Sequence, residues 1–154
     1  MSEPAVRALT ASDGASARAL AHDTYGGTRY LSRTIALLEL ALGGNDPECV
    51  GMVSVRDEVA VALLLHGPVA GAIAVEKLHL LLGSDVRSLG ALIDAWREAV
   101  RCRLVVCELP EDRAHATSAE VLTARGFVRE GSVSGFVDDH TALALFVART
   151  ASGT

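Results

Sequence analysis

The chain has 154 residues, half of them hydrophobic, and a formal charge of −5 with acidic and basic residues interspersed. That is apolar material enough for one domain, residues 1–154, with a core of its own, and too much for a disordered chain. Lys77 is the only lysine and no basic run occurs, so no nucleic-acid partner is expected.

Three cysteines, Cys49, Cys102 and Cys107, make an odd number with no CxxC spacing. They read as small buried hydrophobes in a reducing compartment, and a cytoplasmic location is expected. No basic stretch followed by an apolar one opens the sequence, so no secretion signal is expected. The apolar run 59–75 approaches the length of a membrane span, but His66-Gly67-Pro68 interrupts it with turn chemistry. Two strands fit that run better than a spanning helix, and no membrane partner is expected.

In chain order, 5–10 reads as a short strand. Ser12 and Asp13 offer capping oxygens to a first helix over 13–22. Tyr25-Gly26-Gly27-Thr28 is a break. Leu31, Ile35, Leu38 and Leu42 then recur at three- and four-residue spacing, which predicts a helix over 29–42 with one apolar stripe. Gly43-Gly44-Asn45-Asp46-Pro47 stops it. The period then changes. Strands are expected over 49–55 and 59–65, joined as an antiparallel hairpin by Arg56-Asp57-Glu58. Gly67-Pro68 turns the chain into a strand over 73–82. These runs are almost continuously apolar, as central strands covered on both faces are.

Beyond Gly83, an amphipathic helix carries Val86, Leu89, Ile93, Trp96 and Val100 on one face. Ser84 is the expected N-cap, with Asp85 in the first turn. A strand over 102–109 ends at Pro110, and a helix over 115–125 is capped by Gly126. Strands over 128–137 and 141–148 surround Asp138-Asp139-His140, which reads as a hairpin tip and not as a metal cluster. The order β-α-α-β-β-β-α-β-α-β-β describes one mixed α/β domain.

The order resembles that of the GNAT superfamily, the acyl-CoA-dependent N-acetyltransferases, over nearly the whole chain. Arg87-Ser88-Leu89-Gly90-Ala91-Leu92 is similar to the family's pyrophosphate loop, [Q/R]-x-x-G-x-[G/A], with Leu in the last place. The strand 103–109, the helix 119–125 ending in Gly126-Phe127, and Val128-Arg129-Glu130-Gly131 resemble the fifth strand, the following helix and the start of the sixth strand. The segment 67–80, with its Lys-Leu-His, resembles a subgroup's fourth strand. The resemblance implies a mostly antiparallel central sheet of about seven strands flanked by about four helices. It implies acetyl-CoA as co-substrate and direct transfer of the acetyl group to an amine of a small molecule or peptide. The acceptor pocket comes from the first helices and the strand-six hairpin, often with a partner subunit, which leaves room for a homodimer. Leu80 and Leu82 would meet the thioester arm, and Arg87, Ser88, Leu89, Gly90 and Ala91 the diphosphate.

Three features depart from the family pattern. The turn after Leu82 is poor in glycine, and Asp85 places negative charge where a diphosphate wants positive potential. Leu122 stands where many members have a Tyr that protonates the leaving thiolate, and Ala116 where an Asn is frequent. For a general base, Glu76 and His79 are the candidates, on opposite faces of their strand. Glu76 is favoured, since a carboxylate in an apolar strand needs a partner or a wet cleft. Tyr25 and Tyr30 fall in the region that forms part of the acceptor site in the family, and the acidic tip Asp138-Asp139 would suit a cationic amine. The competing reading is a binding or assembly module of the same fold in which acyl-CoA chemistry is weakened or lost.

Overall fold

The computed structural model describes residues 5–150. Its frame is a seven-stranded sheet: β1 (Ala5–Ala8), β2 (Val50–Arg56), β3 (Val59–Pro68), β4 (Val75–Leu82), β5 (Leu104–Pro110), β6 (Val128–Asp138) and β7 (Thr141–Arg149). The spatial order is β1-β2-β3-β4-β5-β7-β6. Every neighbouring pair is antiparallel except β4 and β5. A parallel pair needs a crossover, and α3 (Val86–Val100) supplies it.

The helices divide between the two faces. On one, α3 and α4 (Ala116–Ala124) bury Leu89, Leu92, Ile93, Trp96, Val121 and Leu122 against Leu64, Leu78, Leu81 and Cys107. On the other, α1 (Gly14–Tyr25) and α2 (Leu31–Gly43) bury Ala17, Ala21, Tyr25 and Leu38 against Val53, Leu63, Leu65, Leu80 and Leu82. Leu63, Leu64 and Leu65 are each fully buried. That is why β3 reads as an unbroken apolar run: its alternate side chains feed two different cores.

Local chemistry sets the ends. The β2–β3 turn is Asp57-Glu58, both with positive φ (52° and 66°), the mirror-image turn that suits strand twist. α2 stops at Gly44 in the left-handed region (φ 69°). At the end of α4, Gly126 (φ 89°) lets Phe127 N–H reach the Leu122 carbonyl at 3.0 Å and its own N–H the Thr123 carbonyl at 3.2 Å. This Schellman arrangement accounts for the Gly-Phe pair: the glycine turns the chain and the aromatic drops back onto the helix.

Several boundaries move from the sequence reading, and three have a plain local cause. The helix expected over 13–22 continues to Tyr25, because Gly26 N–H and Thr28 take up the last carbonyls. Gly67-Pro68 is not the turn. β3 runs through it, and the chain reverses over 69–74, where Gly71 and Ala74 take positive φ. The N-cap of α3 is Asp85, not Ser84. No helix among the described residues is long and apolar enough to cross a membrane.

Candidate active site

The parallel pair at the centre of the sheet is incomplete. β4 and β5 are in register only from Val75 opposite Leu104 to Leu78 opposite Cys107. Beyond that point β4 stays with β3 as far as Leu82, and β5 stays with β7 as far as Pro110. Each strand keeps its outer neighbour while the two part from each other.

A bulge helps to bend β4 at this point. Leu78 faces His66 and Leu80 faces Leu65, so His79 is one residue too many. The bulge also shifts the alternation, which is why Leu78 and Leu81 share one core and Leu80 and Leu82 the other. His79 Nε2 lies 2.9 Å from the Glu48 carbonyl oxygen. A carbonyl only accepts, so Nε2–H donates and ties the bulge to the approach to β2. Gly67 permits the crossing, since a Cβ there would lie 1.8 Å from that same oxygen.

The parting opens a cleft of about 420 Å³. Leu78–Leu81 and Cys107–Pro110 form its walls, Tyr25, Tyr30 and Arg33 meet it from the α1–α2 side, and His115 and Ser118 from the start of α4. Phe136 and Val137 of the β6–β7 hairpin border it as well. The cleft thus runs through the sheet, reaching helices on both faces. Main-chain groups that would have bonded across the gap have no ladder partner there, as an extended amide-bearing ligand requires.

One polar cluster stands at this cleft. Asp112 caps a short 3-10 turn, Arg113–His115, that leads into α4, accepting from His115 N–H at 3.2 Å. Its Oδ1 also lies 2.7 Å from His115 Nδ1, and Oδ2 accepts from the Tyr30 hydroxyl. Burial pushes the Asp112 carboxyl up, but the hydrogen bonds from Tyr30 and His115 outweigh it and hold the group below its usual range. Asp112 is therefore a carboxylate, which can only accept, so His115 Nδ1 is the donor of this pair. Tyr25, Tyr30 and His115 pack as rings, with centroids 5.9, 5.1 and 4.6 Å apart in the three pairs. Burial, then the bond to Asp112, pushes Tyr30 up to about 12. Burial, then the neighbouring Cys107, pushes Tyr25 higher still. Cys107 is itself pushed up to about 12 by burial. All three keep their protons at neutral pH, so none is a ready nucleophile.

No family model and no curated protein matches the sequence. Solved structures do match the fold. A GNAT-family protein from Desulfovibrio desulfuricans superposes with a TM-score of 0.81 at 18% identity, covering 96% of this chain and 99% of that one. The fold is that of the GNAT superfamily. An aminoglycoside 6'-N-acetyltransferase from Enterococcus faecium matches with a TM-score of 0.75 at 11% identity, over 97% of this chain and 99% of its own. A ribosomal-protein-alanine N-acetyltransferase from Brucella melitensis matches at 0.72 and 16%, over 95% and 99%.

Set in the GNAT fold, the residues singled out from sequence fall into two groups. His79 and Leu80 line the cleft. Leu82 is buried in the core beneath α1 and α2. Glu76 does not line the cleft. It lies near Cys102 on the α3 side of the sheet, buried, with Oε1 2.6 Å from His66 Nδ1 and the His66 ring beside Trp96. The carboxylate in an apolar strand has its partner in a buried histidine.

Arg87, Ser88, Leu89, Gly90 and Ala91 lie in the first turns of α3 and do not line the cleft. Gly90 makes room for a side chain: a Cβ there would lie 2.2 Å from the Arg125 guanidinium, which reaches over α3 to Asp94. The start of the helix is held by its own anion. Asp85 accepts from Arg87 N–H at 3.2 Å and the Ser88 hydroxyl at 2.7 Å, with Arg56 3.4 Å away. The Ser88 hydrogen bond, first, keeps its carboxyl below the usual range. The start of α3, where an anion is favoured, thus already holds a carboxylate of the chain itself.

Leu122 is fully buried in the core and supplies no donor. Asp138 is not a free charge at the hairpin tip: it pairs with Arg29 at 2.6 Å and accepts from His140 N–H at 2.8 Å. Among the described residues no group of three or more His, Cys, Asp or Glu could hold a metal ion. Asp112 and His115 were not singled out. The signal was an acid three residues ahead of His115 at a helix start, a capping pattern that reads as local structure.

Proposed function

We propose that the protein transfers an acetyl group from acetyl-CoA directly to an amine. The observation that carries this reading is the gap between β4 and β5, open to helices on both faces of the sheet. A direct transfer needs donor and acceptor bound together, and a through-going cleft admits one from each side. The acyl thioester supplies an electrophilic carbonyl carbon and a leaving thiolate. The chain supplies Leu80 and the bulge at His79 along one wall, Cys107 to Pro110 along the other, and the Tyr25 and Tyr30 hydroxyls, which keep their protons. The relatives of the same fold that act on aminoglycosides and on ribosomal-protein alanine support an amine acceptor in general terms.

Two features favour a second reading, a GNAT-fold module with weakened acyl-CoA chemistry: the Asp85 carboxylate at the start of α3 and the buried Leu122. A melting curve separates the two. Ligand at 100 times its dissociation constant adds about 2.7 kcal/mol to native stability, or roughly 5–10 °C for a chain of this size. A shift of that order with acetyl-CoA, followed by its consumption in the presence of an amine panel, is expected. No shift at millimolar acetyl-CoA would sink the transferase reading and leave the binding module.

A further inference from the structure

We infer that His115 is the general base of this site, with Asp112 and Tyr30 as its positioning residues; this rests on the acyl-transfer reading above. Three observations converge. Asp112, an acceptor only, fixes the proton of His115 on Nδ1 and leaves Nε2 as the basic nitrogen. Tyr30 bonds the other carboxylate oxygen, so the carboxylate is held from both sides and the ring behind it. Nε2 bonds no described residue, and the ring lines the cleft. A buried imidazole with one nitrogen clamped to a carboxylate and the other open to a cleft is arranged to take a proton and hold the charge.

The other candidates fail on position. Glu76 is sealed against His66 on the α3 side. His79 has Nε2 committed to a carbonyl. Lys77 and Glu108 are paired with each other at 3.0 Å. The titratable groups facing His115 are Asp112 from its own turn, Tyr25 from α1 and Tyr30 from the approach to α2, with Cys107 of β5 beside Tyr25. Neither tyrosine nor the thiol ionises near neutral pH, so the charged groups near the ring are Asp112, which bonds it, and Arg33, Lys77 and Glu108, which line the same cleft.

The step balances without another reagent. His115 Nε2 takes a proton from the amine nitrogen as that nitrogen bonds to the acyl carbon. The carbon–sulfur bond then breaks, its electron pair leaves on sulfur, and the imidazolium returns the same proton to that sulfur. Asp112 stays ionised throughout.

Three measurements test this on the full-length protein. In the unliganded protein, the two-bond ¹H–¹⁵N spectrum of the His115 ring is expected to show the Nδ1–H tautomer, and Asp112→Asn to lose it. An Nε2–H tautomer in the unaltered protein overturns the proposal. Acetyl-CoA consumption is then followed against pH, with an amine panel and with water alone. His115→Gln is expected to lower turnover about 10²- to 10⁴-fold and to remove the rising limb of the pH profile, with the acetyl-CoA melting shift retained. Tyr30→Phe and Asp112→Asn are expected to lower turnover while KM for acetyl-CoA holds, and to displace that limb. If His115→Gln keeps turnover within twofold, or if the unaltered protein binds acetyl-CoA and never consumes it, His115 is not the base and cofactor binding stands. If acetyl-CoA does not bind at all, the acyl-transfer reading itself falls. If the glutamine variant does not fold, His115→Asn and the tautomer measurement decide.

Discussion

Asp13 receives the Arg7 guanidinium through two hydrogen bonds, at 2.8 and 2.9 Å, and Thr10 N–H at 2.8 Å. The Arg7 bonds, foremost, hold its carboxyl at about 2, against the opposing effect of burial. The folded pKa lies below the unfolded one near 4. Its contribution is therefore complete above pH 4 and is lost as pH falls from about 4 to 2. Arg7 is half exposed, so solvent screens the pair, and of order 1–2 kcal/mol is at stake. Asp13→Asn is expected to lower the melting temperature at pH 7 and to flatten the acid loss of stability between pH 4 and 2; an unchanged acid limb would assign that loss to other carboxylates. Asp85 poses a different question at the same scale. Asparagine also caps helices, so Asp85→Asn keeps the start of α3 intact while removing one negative charge. If a diphosphate docks there, the dissociation constant for acetyl-CoA falls roughly tenfold, about 1.4 kcal/mol. An unchanged or weaker constant would place the diphosphate elsewhere.

At the scale of the element, the β2–β3 turn carries a removable cost. Glu58 sits at φ 66° on an exposed hairpin tip, a conformation disfavoured for any residue with a Cβ. Glu58→Gly is expected to stabilise by about 0.5–1 kcal/mol, or roughly 1–4 °C in a thermal melt; a lower melting temperature would mean that Glu58 makes a compensating contact. Turns of this kind are what sequence conveys well. The apolar runs of β3 and β4, the stripe of α3 and the Gly126-Phe127 ending were all legible, because each rests on periodicity or on one residue with special backbone freedom. The cleft was legible only through resemblance. A bulge at His79 has no local signature, and it takes Glu48, Gly67 and His79, far apart in sequence, to hold it. Gly90 shows what a motif leaves out. Its place in a loop-like motif pointed to phosphate, and three dimensions add the Arg125 side chain crossing α3 where a Cβ would stand. Asp112 and His115 were hidden because a capping acid and a base held for chemistry use the same residue types at the same spacing.

For the molecule as a whole, the mouth of the cleft is assembled from distant parts of the chain. The connection between α1 and α2 meets the β6–β7 hairpin through the Arg29–Asp138 pair, so the tip that looked like a free acidic patch is instead a brace. The sheet has a corresponding division. β1 to β4 form one antiparallel block and β5, β7 and β6 another, joined in the sheet by the four register pairs from Val75–Leu104 to Leu78–Cys107. Such a seam divides amide protons into two classes. Those within the short ladder exchange with deuterium only when the blocks separate, whereas those facing the gap in 79–82 and 108–109 exchange without any opening of the sheet. Acetyl-CoA bound across the gap should slow the second class and leave the first unchanged. Uniform protection of β4 along its whole length in the free protein would mean that the seam is closed in solution.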